Sequence, residues 1–115
     1  MRRVIRHGDV NLVPVSLAAF QQAAARGQRV AHQGTVVLAR GEATGSVHEL
    51  SVAEPDQLEL VQDGDTLWLR LTSVGTLTHT SDHATLTDIP PVTYRQVPER
   101  ELNHFANSVV RRVVD

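Results

Sequence analysis

Cysteine and lysine are both absent from this 115-residue chain. Without cysteine there is no disulfide, no thiolate ligand and no thiol nucleophile, so any metal must be held by imidazole, carboxylate or water. All 11 basic residues are arginines, set against 13 acidic residues for a net charge of -2. They are scattered, so the stripe or patch that marks a nucleic-acid partner is missing. Arg2, Arg3 and Arg6 form the one basic run and read as a solvated terminus. No apolar run approaches the roughly 20 residues of a membrane-spanning helix, and residues 2–7 lead into a turn instead of a signal-peptide core. The expectation is a cytoplasmic protein with no membrane partner. P-loops, dinucleotide fingerprints, convincing carboxylate pairs, internal repeats and low-complexity segments are also lacking.

What is present is the composition of an ordinary folded domain, 41% hydrophobic and 21% charged, with residues 1–115 forming one unit. The Gly8-Asp9 pair opens a β-branched strand over residues 9–15, where Pro14 requires a sheet edge or a strand end because it cannot donate to a ladder. Ser16 is an N-cap for a short helix over residues 17–26, with Leu17, Phe20 and Ala24 on one face and Gly27 as its stop. From Thr35 the period becomes two. Strands are expected at 35–40, 46–53, 58–61, 66–71, 75–79, 84–89 and 92–97, with Asp63-Gly64 as the strongest hairpin signal and Pro90-Pro91 as a break. This pattern predicts an all-β fold, a small single-domain barrel or sandwich with one short helix. After Pro98, Leu102, Phe105, Val109 and Val113 have helical spacing, and a helix is expected over residues 99–107; beyond it, valine-rich residues 108–114 suit a helix or a strand equally.

The histidines carry the only constellation with an obvious chemical use. Side chains at i, i+2 and i+4 share a face of a strand, so His48 belongs with Leu50 and Val52, and His79 with Leu77 and Gly75. Both therefore point inward. His83 follows His79 at i+4, and the intervening Ser81 and Asp82 favour a bend that returns it to the same neighbourhood. Neutral imidazole is the commonest protein ligand for transition metals. The candidate metal ligands are thus His48, His79 and His83, with Glu42 as an added carboxylate between Gly41 and Gly45, and the candidate ions are zinc, nickel and iron. His7, His32 and His104 lie in turn-like or terminal contexts and read as solvated. The bland alternative is that inward histidines satisfy core hydrogen bonds. Ser46, His48 and Asp82 can be written as a nucleophile, base and orienter, but no strained elbow exposes Ser46. Trp68 and Arg70 share the face opposite Leu67, Leu69 and Leu71, as expected of a strand buried on both faces or of a stacking patch for a partner.

Residues 8–15, the element Gly41-Glu42-Ala43-Thr44-Gly45-Ser46-Val47-His48, the element Thr78-His79-Thr80-Ser81-Asp82-His83 and residues 94–101 together resemble a family of small, largely uncharacterised bacterial and phage-associated proteins. Its members carry Gly-Glu-x-Thr-Gly-His-x-His, Thr-His-x-x-His and Tyr-x-Val-x-x-Gln-Arg-Glu elements. The resemblance implies a β-rich fold and a histidine cluster, with no assigned activity. It leaves out residues 16–26 and the tail after Glu101. Ser46 stands where the family's first histidine falls, which implies a three-ligand, weakened or vestigial site. A looser likeness to cupins exists at the level of the fold.

These readings converge on a small β protein that binds one divalent transition metal, with water or substrate in the remaining position. As an enzyme it would use the metal as Lewis acid or water activator. The competing class is a non-catalytic interaction or assembly module, phage- or mobile-element-associated, with structural histidines. Its partner would be an unknown protein or a small molecule, and the oligomeric state is open.

Overall fold

Alternation of apolar and polar residues becomes a two-layer β structure because each strand has one face to bury. The computed structural model describes residues 3–8, 10–40, 47–79 and 85–98. In chain order its elements are β1 (Ile5–His7), β2 (Val10–Val15), α1 (Leu17–Arg26), β3 (Gln28–Arg29), β4 (Thr35–Arg40) and β5 (Val47–Ser51), followed by a 3₁₀ turn (Pro55–Gln57). Then come β6 (Leu58–Asp63), β7 (Thr66–Leu71), β8 (Gly75–His79), β9 (Thr85–Ile89) and β10 (Thr93–Gln96). One sheet has the order β1-β2-β10-β7-β6-β3 and the other β4-β5-β8-β9, and every pairing is antiparallel.

The fold is therefore all-β with one short helix, and of the two expected architectures it is the sandwich. Closure into a barrel would require the terminal strands to pair, yet the three-residue β1 pairs with β2 and the two-residue β3 with β6, and among the described residues both remain edges. The inner faces contribute one core: Val10, Leu12, Leu58, Leu60, Leu69, Leu71 and Tyr94 from the six-stranded sheet meet Leu38, Leu50, Leu77 and Ile89 from the four-stranded one. The helix covers the outer face of the larger sheet, where Phe20 and Ala23 pack on Val61, with Ala24 and Trp68 beside them. Trp68 thus lies under a helix, as the two-sided strand reading requires. Leu17 is exposed and Ala23 takes the place expected of it, a rotation of the buried stripe towards β6.

Local signals account for most boundaries. Ser16 caps α1 by accepting from the Ala19 N–H at 3.0 Å, and the Gly27 N–H bonds the Ala23 carbonyl at the other end. Pro14 pairs with Tyr94 on one side, while β1 reaches only residues 10–12 on the other, so the proline occupies a stretch of locally open edge. Leu38 shares the inward face with Val36 and is bulged between the Val37–Glu49 and Ala39–His48 pairs, so that Ala39 comes opposite His48, and the Leu38 carbonyl accepts from Gln96 Nε2 at 2.9 Å across the sandwich. The β6–β7 loop is Gly64-Asp65, one residue later than the Asp63-Gly64 signal suggests, because Asp63 still pairs with Thr66. Gly64 has φ +61° and Asp65 does not share the positive sign, the pattern of a turn with glycine first. The helix expected over residues 99–107 lies outside the described residues.

Two expected outcomes follow from this framework. Gly64 faces open space, so Gly64→Ala should cost only its backbone strain, about 1 kcal/mol, read as a lower denaturation midpoint at unchanged m-value; an unmoved midpoint would place the turn elsewhere. Glu59 is gripped by Arg29 and by Arg70 at 2.9 Å on the outer sheet face. Its carboxyl is held below the ordinary glutamate value, chiefly by the Arg29 hydrogen bond and also by the charges of Arg29 and Arg70, with desolvation in partial opposition. A depressed carboxyl stabilises the fold above its unfolded range and loses that contribution as pH falls through the folded value. Glu59→Gln should flatten the acid limb of the stability curve below about pH 4.3, with a neutral-pH loss of about 1 kcal/mol or less because the pair is partly solvated.

Candidate functional site

The inward-facing ends of three strands place imidazoles at one margin of the sandwich. His48 and His79 are directly opposed across the β5–β8 ladder, in the same register that opposes Leu50 to Leu77. Their rings stack with centroids 4.2 Å apart and planes 17° from parallel. The third ring is His7, which closes β1 opposite Val10 of β2 and so faces inward with it. Its centroid lies 5.0 Å from that of His48 and 6.3 Å from that of His79, edge-on to both. The Nδ1 atoms of His7 and His48 are 3.0 Å apart.

The cluster joins the two sheets, and two of its rings, His7 and His48, are buried. Among the described residues, His7 Nε2 is buried without a hydrogen-bond partner. A buried polar atom left unpaired costs about 1–3 kcal/mol, so it asks for a water, an ion or a ligand. Gly8 makes the approach possible. It starts the β1–β2 turn with φ +60°, and a Cβ there would stand 2.6 Å from His48 Cε1 and 3.0 Å from Nε2. The glycine therefore serves the turn and the ring beside it at once.

Two atoms bound to one tetrahedral ion at the usual imidazole distance of about 2.0–2.1 Å stand about 3.3 Å apart. The His7–His48 nitrogen pair already lies near that separation. The stacked His79 ring does not converge on the same point, and among the described residues no group of three or more His, Asp or Glu side chains forms a ready cation cage. As it stands, the arrangement is a hydrogen-bonded imidazole pair with a third ring stacked against it.

Of the four expected ligands, the structure brings His48 and His79 together; His83 and Glu42 lie outside the described residues, as do Ser46, Asp82 and His104. Two expectations of solvation are corrected. His7 is buried in the cluster because residues 5–7 form a strand instead of merely approaching a turn. His32 is half-buried and bonded at both nitrogens: Nδ1 accepts from the Gly34 N–H at 2.9 Å and Nε2 donates to the Leu58 carbonyl at 2.6 Å. That pairing fixes the loop before β4 against β6 and gives His32 a structural task. The sequence does hold a signal for His7. Reading Gly8-Asp9 as a two-residue hairpin loop pairs residues 5–7 with 10–12 and turns Ile5 and His7 inward together.

The chain belongs to a family described as a domain of unknown function, DUF8820, whose model matches residues 6–98 and so spans all three imidazoles. No curated protein and no solved structure is significantly similar to it. Among the described residues no helix is long and apolar enough to cross a membrane.

The contact between Gly8 and His48 can be isolated by comparison with Gly64, whose φ is almost the same but whose surroundings are empty. Gly8→Ala should destabilise by about 1 kcal/mol or more beyond Gly64→Ala, the excess reflecting overpacking against the ring. Equal losses in denaturant titrations would mean that His48 is not held against the turn.

Proposed function

We propose that this protein binds one divalent transition metal at the sheet margin through His7, His48 and His79. One observation supports the reading: imidazoles from three strands and both sheets gather at one margin, with the Nδ1 atoms of His7 and His48 3.0 Å apart, while the opposite nitrogen of His7, Nε2, is buried with no hydrogen-bond partner among the described residues. In this proposal His7 and His48 form the prepared pair, and His79 completes the set by rotating its ring out of the stack. His83 and Glu42 remain proposed further ligands on the strength of their spacing from His79 and His48. A donor set without thiolate and rich in imidazole suits zinc or nickel, and iron where the carboxylate joins, and disfavours magnesium and calcium, which take oxygen ligands.

With three imidazoles engaged, a coordination position is left for water or substrate, where the metal would act as Lewis acid or water activator. No substrate is assigned. The likeness of four sequence elements to bacterial and phage-associated proteins supports a cytoplasmic setting as part of the same proposal. The competing reading, an interaction or assembly module with structural histidines, draws on the same 3.0 Å contact as an ordinary imidazole–imidazole hydrogen bond.

Calorimetry on protein purified without a polyhistidine tag separates the two. Zinc or nickel should bind near one equivalent at neutral pH, weaken as protons compete for the imidazoles, and at a free concentration 100 times Kd stabilise the fold by about 2.7 kcal/mol. His7→Ala, His48→Ala or His79→Ala should each lower the affinity at least tenfold, whereas His104→Ala should leave it intact. Absence of binding, or equal losses at His79 and His104, would leave the cluster a structural role.

A further inference from the structure

Between the β4 edge and the larger sheet, the interior of the sandwich is open. On the inner face of β6 and β7 the buried Leu60–Leu69 pair gives way, two residues nearer the hairpin, to Gln62–Leu67. On β10 the buried Tyr94 is followed on the same face by Gln96, opposite Leu12. Amide side chains at these inward positions keep their contact with water, because burying them unpaired would be costly. A cavity of about 410 Å³ results, with Leu38, Leu67 and Val97 as its apolar lining and Gln62, Gln96 and Asp65 as its polar lining. Its size is that of a small-ligand site, on the order of 300–1,000 Å³. None of the three clustered imidazoles lines it.

The polar lining is set up to accept hydrogen bonds. Gln62 Nε2 donates to the Gly64 carbonyl and Gln96 Nε2 to the Leu38 carbonyl, each at 2.9 Å. A backbone carbonyl can only accept, so both amides are fixed with their nitrogen towards it and Oε1 on the other limb. Among the described residues neither Oε1 receives a hydrogen bond. Asp65 carries the one formal charge of the described lining, and among the described residues it has no ion-pair or hydrogen-bond partner. Asp63, two residues earlier, is held by Arg26 at 2.8 Å, so the hairpin neutralises one carboxylate and leaves the other for a ligand.

We propose that this cavity binds a guanidinium group carried on an aliphatic stem, at a site separate from the histidine margin. The guanidinium is a planar cation with donors only, less strongly hydrated than an ammonium, and it suits one carboxylate flanked by amide oxygens. Its methylene stem would lie along Leu38, Leu67 and Val97, as such stems do on apolar surface. An anion would meet the charge of Asp65. Magnesium or calcium would find one carboxylate and two amide oxygens where about six to eight oxygens are needed. Two sources share the required chemistry, a free guanidino compound and an arginine side chain of a partner polypeptide.

NMR titration of the full, isotope-labelled chain tests this, with n-butylguanidinium as the free ligand, a capped Val-Arg-Val tripeptide as the polypeptide source and n-butylurea as the neutral isostere. A guanidinium ligand should give saturable shifts at residues 62–67, at Val97 and at the side-chain amides of Gln62 and Gln96. The urea should bind about tenfold more weakly or worse, the loss expected of hydrogen bonds to a charged group. Asp65→Asn should produce the same loss for n-butylguanidinium, and it keeps a glycine–asparagine hairpin loop, so the fold is preserved. Asp56→Asn, which removes an exposed carboxylate at the opposite end of β6, should leave the affinity unchanged. Saturation by n-butylguanidinium would support the site and assign it to a free compound; saturation by the tripeptide alone would support it and assign an arginine of a partner. Equal binding of n-butylguanidinium and n-butylurea, or unchanged affinity in Asp65→Asn, would overturn the proposal. Absence of saturable shifts with both guanidinium ligands would overturn it as well.

Discussion

The pairing of β5 with β8 sets Leu50 against Leu77 and, two residues along, His48 against His79, and the remainder of the site is arranged around this register. A slip of one residue would turn the leucine and histidine of the shifted strand to the opposite face and break both pairs. The register is secured by packing as much as by the ladder. Leu50 and Leu77 are completely buried between the sheets, and Gly75 admits Leu50 and Leu71 at close quarters, since a Cβ there would stand 2.8 Å from Leu71 Cδ2 and 3.1 Å from Leu50 Cδ1. The apolar pair thereby fixes the polar pair. The histidines gain a defined position without themselves having to contribute the energy that holds the strands together.

Much of this was legible because it is local. The Ser16 cap, the Gly27 stop and the period-two runs of β4 to β10 are signals written within a few residues, and the structure follows them closely. The inward direction of His48 and His79 follows from the same alternation with Leu50 and Leu77. What escaped is non-local or too short to have a period. Ile5-Arg6-His7 spans three residues, behind an arginine run that suggests solvent, and becomes a strand only because β2 lies beside it. β3, with two exposed residues, has no hydrophobic signature at all. The Leu38 bulge inverts the phase of β4 halfway along, and the one-residue shift of the Gly64-Asp65 loop depends on which cross-strand pairs win. Each is settled by a partner elsewhere in the chain.

The orphan atoms of the interior sharpen the case for His7. Three buried side-chain atoms lack hydrogen-bond partners among the described residues: His7 Nε2, Asn11 Oδ1 and Trp68 Nε1. Trp68 is packed beside the helix-covered cluster and has the Arg95 guanidinium 5.9 Å from its ring centroid, a site shaped by apolar and cation–π contacts. Asn11 already donates to the Val97 carbonyl at 3.4 Å and lies in a stretch where the backbones of Asn11 and Val97 are bonded, so its side chain mainly braces β2 against the end of β10. Neither is surrounded by metal donors. His7 Nε2 alone has two further imidazoles around its ring, and it alone belongs to a side chain that bridges the sheets. If satisfying the core were the sole purpose of this residue, an apolar side chain opposite Val10 would meet that purpose without the unpaired nitrogen. The cost is intelligible where the nitrogen, or its partner across the ring, is kept for a ligand.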